Sequence, residues 1–134
     1  MERNSGLMPR VILLGYEPNT VDVTDPALPP GMTQDKIRAG LAAAQRQFDD
    51  LGWDGEICLF PPDETAVPIV QKKLSAKSYD CVIIGAGVRL PPRGLAIFES
   101  ILNAVHKSAP DAVIAFNSRP DDSAEAAARA LNLR

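Results

Sequence analysis

Four short apolar runs, at 10–15, 56–60, 79–84 and 112–116, alternate with stretches of helical periodicity, and this alternation limits the fold more than any other feature. Runs such as Val11-Ile12-Leu13-Leu14 and Cys81-Val82-Ile83-Ile84 are continuously apolar and of strand length. That pattern belongs to parallel strands covered on both faces. Between the first two runs, Ile37, Leu41, Ala44, Phe48 and Leu51 recur at steps of four, three, four and three. They form one helical stripe, with Thr33 as the expected N-cap, Asp35 in the first turn and Gly52 as the stop. A second helix is expected from about Ala66, with Val67, Val70 and Leu74 inward and Pro68 tolerated in its first turn. A third spans 95–108, with Phe98, Ile101, Leu102 and Val105 inward and Pro110 beyond its end. The last, at 123–131, turns Ala124, Ala127, Ala128 and Leu131 inward.

Strand–helix alternation of this kind predicts a parallel sheet with helices on both faces. Right-handed crossovers leave few arrangements, and order 2-1-3-4 buries the two most aliphatic runs centrally with two helices on each face. The expectation is an α/β three-layer sandwich. Its 134 residues suit one domain, read as 9–134 behind a loose tail at 1–8. This layout resembles a flavodoxin-like or Rossmann-like architecture, a resemblance that implies a fold and fixes no activity. The phrases Pro29-Pro30-Gly31-Met32, Tyr79-Asp80-Cys81-Val82-Ile83-Ile84-Gly85-Ala86-Gly87-Val88-Arg89-Leu90-Pro91-Pro92 and Ala115-Phe116-Asn117-Ser118-Arg119-Pro120 resemble those of small uncharacterised bacterial α/β proteins.

Composition removes several classes of function. With 14 Lys+Arg against 17 Asp+Glu there is no basic footprint for nucleic acid or for an anionic membrane surface. No apolar run approaches the ~20 residues of a membrane span, and 1–9 has no signal-peptide pattern, so a cytoplasmic location is expected. One histidine and two cysteines without a C-x-x-C pair make no zinc site, and no metal is expected. Cys58 and Cys81 lie within apolar runs and read as core. His106 falls off the apolar stripe of its helix and reads as a solvated surface residue, and Trp53 reads as packing.

In such a sheet, ligands bind beyond the carboxyl ends of the strands, where the strand order reverses. Here that crevice lies between the first and third strands, and the unusual loops gather around it. The connection 16–32 has 17 residues, where about two to six is usual. It holds four prolines and the carboxylates Glu17, Asp22 and Asp25, and reads as a binding loop, an oligomer contact or a Pro-rich arm packed over the sheet end. The loop 85–94 brings Gly85 and Gly87 for close backbone approach, with Arg89 and Arg93 as fixed positive charge. In the alternative, the glycines only turn the chain and the arginines pair with the acidic loop. The loop 117–122 adds Asn117, Ser118 and Arg119, while Asp122 or Ser123 is expected to cap the last helix.

Known motifs do not complete. Gly85-x-Gly87 lacks the third glycine of a dinucleotide fingerprint, since Leu90 stands there, and no phosphate-binding G-x-x-x-x-G-K-[ST] exists. The acidic pair and phosphoacceptor aspartate of a receiver domain are missing from their places after the first and third strands. The leading expectation is therefore a small-ligand-binding or regulatory module for an anion or phosphorylated metabolite. Its ligand would meet Gly15, Tyr16, Glu17, Thr33, Gly85, Gly87, Arg89, Arg93, Asn117 and Arg119. The alternatives are a small enzyme with Glu17, Asp22 or Asp25 as base beside Arg89, Arg93 or Arg119, and a self-associating or partner-binding protein using the loop 16–32. No cofactor is specified.

Overall fold

Strands β1 (Arg10–Tyr16), β2 (Asp54–Phe60), β3 (Cys81–Ile84) and β4 (Val113–Phe116) form one sheet in the order β2-β1-β3-β4, every pair parallel. The expected strand order holds. The coordinates come from a computed structural model and describe residues 8–26, 28, 30–89 and 94–133. The expectation for a tail at 1–8 thus lies outside the described residues, apart from Met8. Register is in step across the sheet: Leu14 pairs with Cys58 on one side and with Ile84 on the other, and Ile84 with Phe116. Because side chains alternate along a strand, β1 and β3 each feed two cores. Ile12, Leu14, Val82 and Ile84 face one way, and Val11, Leu13, Cys81 and Ile83 the other.

Helices α2 (Ala66–Ser75) and α4 (Leu95–Ser108) cover the first face through Val70, Leu74, Ile101 and Val105. Helices α1 (Gln34–Asp50) and α5 (Ser123–Leu131) cover the second through Ala44, Phe48 and Ala127. On α5 the sequence placed Ala128 inward, but Ala126 is the buried residue and Ala128 is half-buried. The buried face of α5 runs through Ser123, Ala124, Ala126 and Ala127, rotated from the expected stripe so that the smallest side chains meet the sheet.

Helix α1 shows how local chemistry sets a boundary. The Thr33 side chain accepts the Lys36 amide at 3.1 Å, satisfying one of the free donors of the first turn. At the far end Gly52, at φ 75°, lets Trp53 donate to the Phe48 carbonyl and Gly52 to that of Asp49, closing the last turn. Trp53 then stacks on Phe48 with ring centroids 6.1 Å apart, the packing role expected of it. Gly55 permits this helix to lie close on β2, because a Cβ there would sit 2.5 Å from Phe48. At the amino end of the sheet, Arg10 fastens three strands: its amide donates to Asp80, its Nε to Asp54 and its Nη1 to the Ser78 carbonyl.

Two local expectations are corrected. Residues 86–89, read as loop, form a single helical turn, α3 (Ala86–Arg89). Asp122 and Ser123 do not cap α5 with their side chains. The Asp122 carboxylate instead accepts the amides of Ser118 and Arg119, closing its own loop, and the Ser123 hydroxyl donates to the Pro120 carbonyl at 2.6 Å. Among the described residues, no helix is long and apolar enough to cross a membrane.

Candidate functional site

The loops after β1, β3 and β4 meet around one cavity of about 390 Å³ at the carboxyl ends of β1 and β3. This is where the reversal of strand order leaves a crevice. Its floor is the end of the sheet: Leu13, Leu14 and Gly15 of β1, then Gly85. Gly85 is needed there for the approach of protein to protein. Its amide donates to the Leu14 carbonyl at 2.9 Å, and a Cβ on it would stand 3.0 Å from that same oxygen. The walls are apolar and come from both faces, Ile37 and Leu41 from α1 and Ile97 from α4, with Val21, Leu28 and Met32 of the loop 16–32 folded over the top.

That loop is fastened at both ends. The Glu17 amide extends the β1–β2 ladder by donating to the Phe60 carbonyl at 3.0 Å, and Pro18 is buried. Further along, Gln34 Nε2 donates to the Val21 carbonyl at 3.3 Å, and Lys36 Nζ to that of Gly31, a residue at φ 79°. Between these points the chain turns on itself, with Asp22 Oδ1 accepting from both the amide and the hydroxyl of Thr24. The described residues of the loop are thus held to the sheet end and to α1 by their own hydrogen bonds.

Asn117 is 2% exposed and joins two of the three loops. Its Oδ1 accepts the Ala86 amide at 2.8 Å, and its Nδ2 donates to Ser123 Oγ at 3.0 Å. A buried amide must find such partners, because an unmade hydrogen bond there costs more than a made one gains. Arg89 completes the joint from outside. Its Nη2 donates to the Asn117 carbonyl and its guanidinium lies over the Phe116 ring, 5.4 Å from the centroid.

Of the residues singled out from sequence, Gly15, Tyr16, Gly85, Gly87, Asn117 and Arg119 line the cavity, as do Asp22 and Asp25. Glu17, Thr33 and Arg89 do not. Glu17 is held by its backbone, Thr33 is spent on its cap, and Arg89 braces the end of β4. Neither the acidic loop nor bulk solvent holds Arg89, and its charge is not directed into the crevice. Arg93 lies outside the described residues. Arg119 is on the rim and already paired, with Nε 2.8 Å from Asp121 and Nη1 4.0 Å from Asp122. Tyr16 meets Phe60 edge to face at 5.7 Å. Its hydroxyl is buried without a hydrogen-bond partner, and burial pushes the phenol above its ordinary value, so it stays neutral.

Sequence reasoning missed the apolar walls. Ile37 and Leu41 fall on the expected core stripe of α1, yet they are only half-buried where Ala44 and Phe48 of the same stripe are fully buried. The first turns of α1 face the turns after β1 and β4 in place of the sheet: a Cβ on Gly40 would stand 3.1 Å from Pro120. Cys81, fully buried, has its thiol pushed up to about 12 by burial and then by the Asp80 charge, in keeping with a core role. His106 is exposed at the other end of α4. Among the described residues no group of three or more His, Cys, Asp or Glu is placed to hold a metal ion. No family model matches the chain, and no curated protein matches it.

Proposed function

We propose that this protein is a small-ligand-binding module whose ligand occupies the cavity at the carboxyl ends of β1 and β3. The observation that carries the reading is the cavity itself: about 390 Å³, apolar in its walls, with a few polar groups around it. That is the size and character of a small-molecule site. Its position at the switch point supports the reading independently. An anionic or phosphorylated ligand has less support, since Arg89 is committed to β4 and Arg119 to Asp121. An enzymatic role is weaker again. No histidine, cysteine or lysine is among the described lining residues, and the Thr20 hydroxyl donates to the Glu17 carbonyl in place of a carboxylate.

Titration of the isotope-labelled protein with cyclohexanol tests this. Saturable shifts should appear together at the amides of Gly15, Gly85, Gly87 and Ser118. They should disappear in Leu41→Trp and in Ile97→Trp, which fill the cavity from opposite faces. Saturable binding that survives both substitutions, or shifts confined to other parts of the protein, would overturn the reading.

A further inference from the structure

The cavity has a direction. Its described lining residues that are exposed are Thr20, Asp22, Pro62, Gly87, Ser118 and Arg119, and four of those six carry polar side chains. Of the other two, Gly87 is open: a Cβ added there would meet nothing within 4 Å. Inward from this mouth aliphatic side chains predominate over the few polar ones, Tyr16, Asp25 and Asn117, with Leu13 and Leu14 at the floor at 1% and 0% exposure. A ligand entering here leaves water progressively, so its apolar part gains by going deepest and its polar part loses least by staying at the mouth.

The charge at the mouth is mixed. Among the described lining residues, Asp22 contributes a carboxylate held in a turn by Thr24, Asp25 a half-buried second carboxylate, and Arg119 a guanidinium already paired with Asp121. None of these three charges is free, so a ligand ion meets groups that already have partners and gives up hydration to enter. A hydroxyl or amide, which both donates and accepts, avoids that cost and suits the hydroxyls of Thr20 and Ser118.

We infer that the ligand is a compact amphiphile, bound apolar end first, with an uncharged hydrogen-bonding head held at the mouth between Thr20, Gly87 and Ser118. This rests on the ligand-binding reading above and narrows it to a chemical class and an orientation.

Three probes with one body and different heads decide it: cyclohexylmethanol, cyclohexanecarboxylate and cyclohexylmethylammonium. Each is titrated into the isotope-labelled full chain near neutral pH, with cyclohexane as a headless control. The alcohol should bind roughly tenfold more tightly than either ion, since each ion must shed hydration at a mouth of mixed sign. Nuclear Overhauser contacts should join its ring protons to the Leu41 and Ile97 methyls, and its carbinol protons to Gly87 or Ser118. An ion that binds as tightly as the alcohol, or a head found beside Leu41 and the ring beside Ser118, overturns the inference while leaving a binding site. Cyclohexane shifting the cavity methyls when the alcohol does not bind also overturns the inference alone. Failure of all four compounds to perturb the cavity overturns both this inference and the reading beneath it.

Discussion

The Asn117 side-chain oxygen accepts the Ala86 amide at 2.8 Å, tying the turn after β3 to the turn after β4 across 31 positions of sequence. The other end of the same amide reaches Ser123, whose hydroxyl donates onward to the Pro120 carbonyl. The two turns that shape the mouth are therefore one hydrogen-bonded unit. Asn117→Ala leaves the half-buried Ala86 amide without its acceptor and the buried Ser123 hydroxyl without a donor, and should cost about 1–3 kcal/mol. Urea unfolding measures the loss, and hydrogen exchange at the Ala86 amide should quicken by more than global destabilisation explains. An Ala86 amide as protected as before would show that Asn117 is not the tie.

The two glycines after β3 should part company on substitution. At Gly85 a Cβ would stand 3.0 Å from the Leu14 carbonyl, a backbone atom that cannot swing aside. Gly85→Ala should therefore cost about 1–3 kcal/mol through displacement of β3 from β1. At Gly87 the same Cβ has open space, and the residue lies within helical α3 without positive φ. Gly87→Ala should be neutral or stabilising by up to about 1 kcal/mol, through reduced freedom of the unfolded chain. Denaturation midpoints at unchanged slope distinguish the two.

An acid-dependent part of stability should trace to Glu56. It is a half-buried carboxylate on edge strand β2, paired with Lys73 Nζ at 3.0 Å and with Lys77, both on the α2 side of the sheet. Burial opposes its ionisation, but hydrogen bonds and charge from Lys77 and Lys73 outweigh burial and lower its pKa below the ordinary 4.5. A lowered pKa in the folded state means the pair contributes fully above pH 4.5. The contribution fades as pH falls below that value towards the folded pKa, because the unfolded chain takes up the proton first. Glu56→Gln should remove about 0.5–1 kcal/mol of stability at pH 7 and flatten the acid limb, the partly exposed lysines keeping the value modest. Equal acid sensitivity in the two proteins would assign that limb to other groups.

The fold was legible in the sequence because its signals are local. The runs at β1 and β3, the stripe on α1 and the cap at Thr33 each follow from a few consecutive residues. The position of the crevice followed too, since strand order alone places it. Its chemistry did not. Arg89 beside Gly85-x-Gly87 has the same local pattern whether it faces a ligand or a neighbouring strand. Its place over Phe116 depends on β4 being the sheet edge with that ring partly exposed. Likewise Ile37 and Leu41 share one periodicity with Ala44 and Phe48, and only the packing of the first turns of α1 against the turns after β1 and β4 makes the first pair cavity wall. Contacts between distant segments decide such roles, and a window of neighbouring residues does not contain them.

Three loops surround an apolar, accessible space at one end of the sheet, and xenon detects such a space without any polar contact. In methyl spectra recorded under increasing xenon pressure, Leu13, Ile37, Leu41 and Ile97 should shift together along a single saturation curve, since xenon enters apolar cavities. Unmoved resonances at these four, or movement at only one face of the sheet, would contradict it.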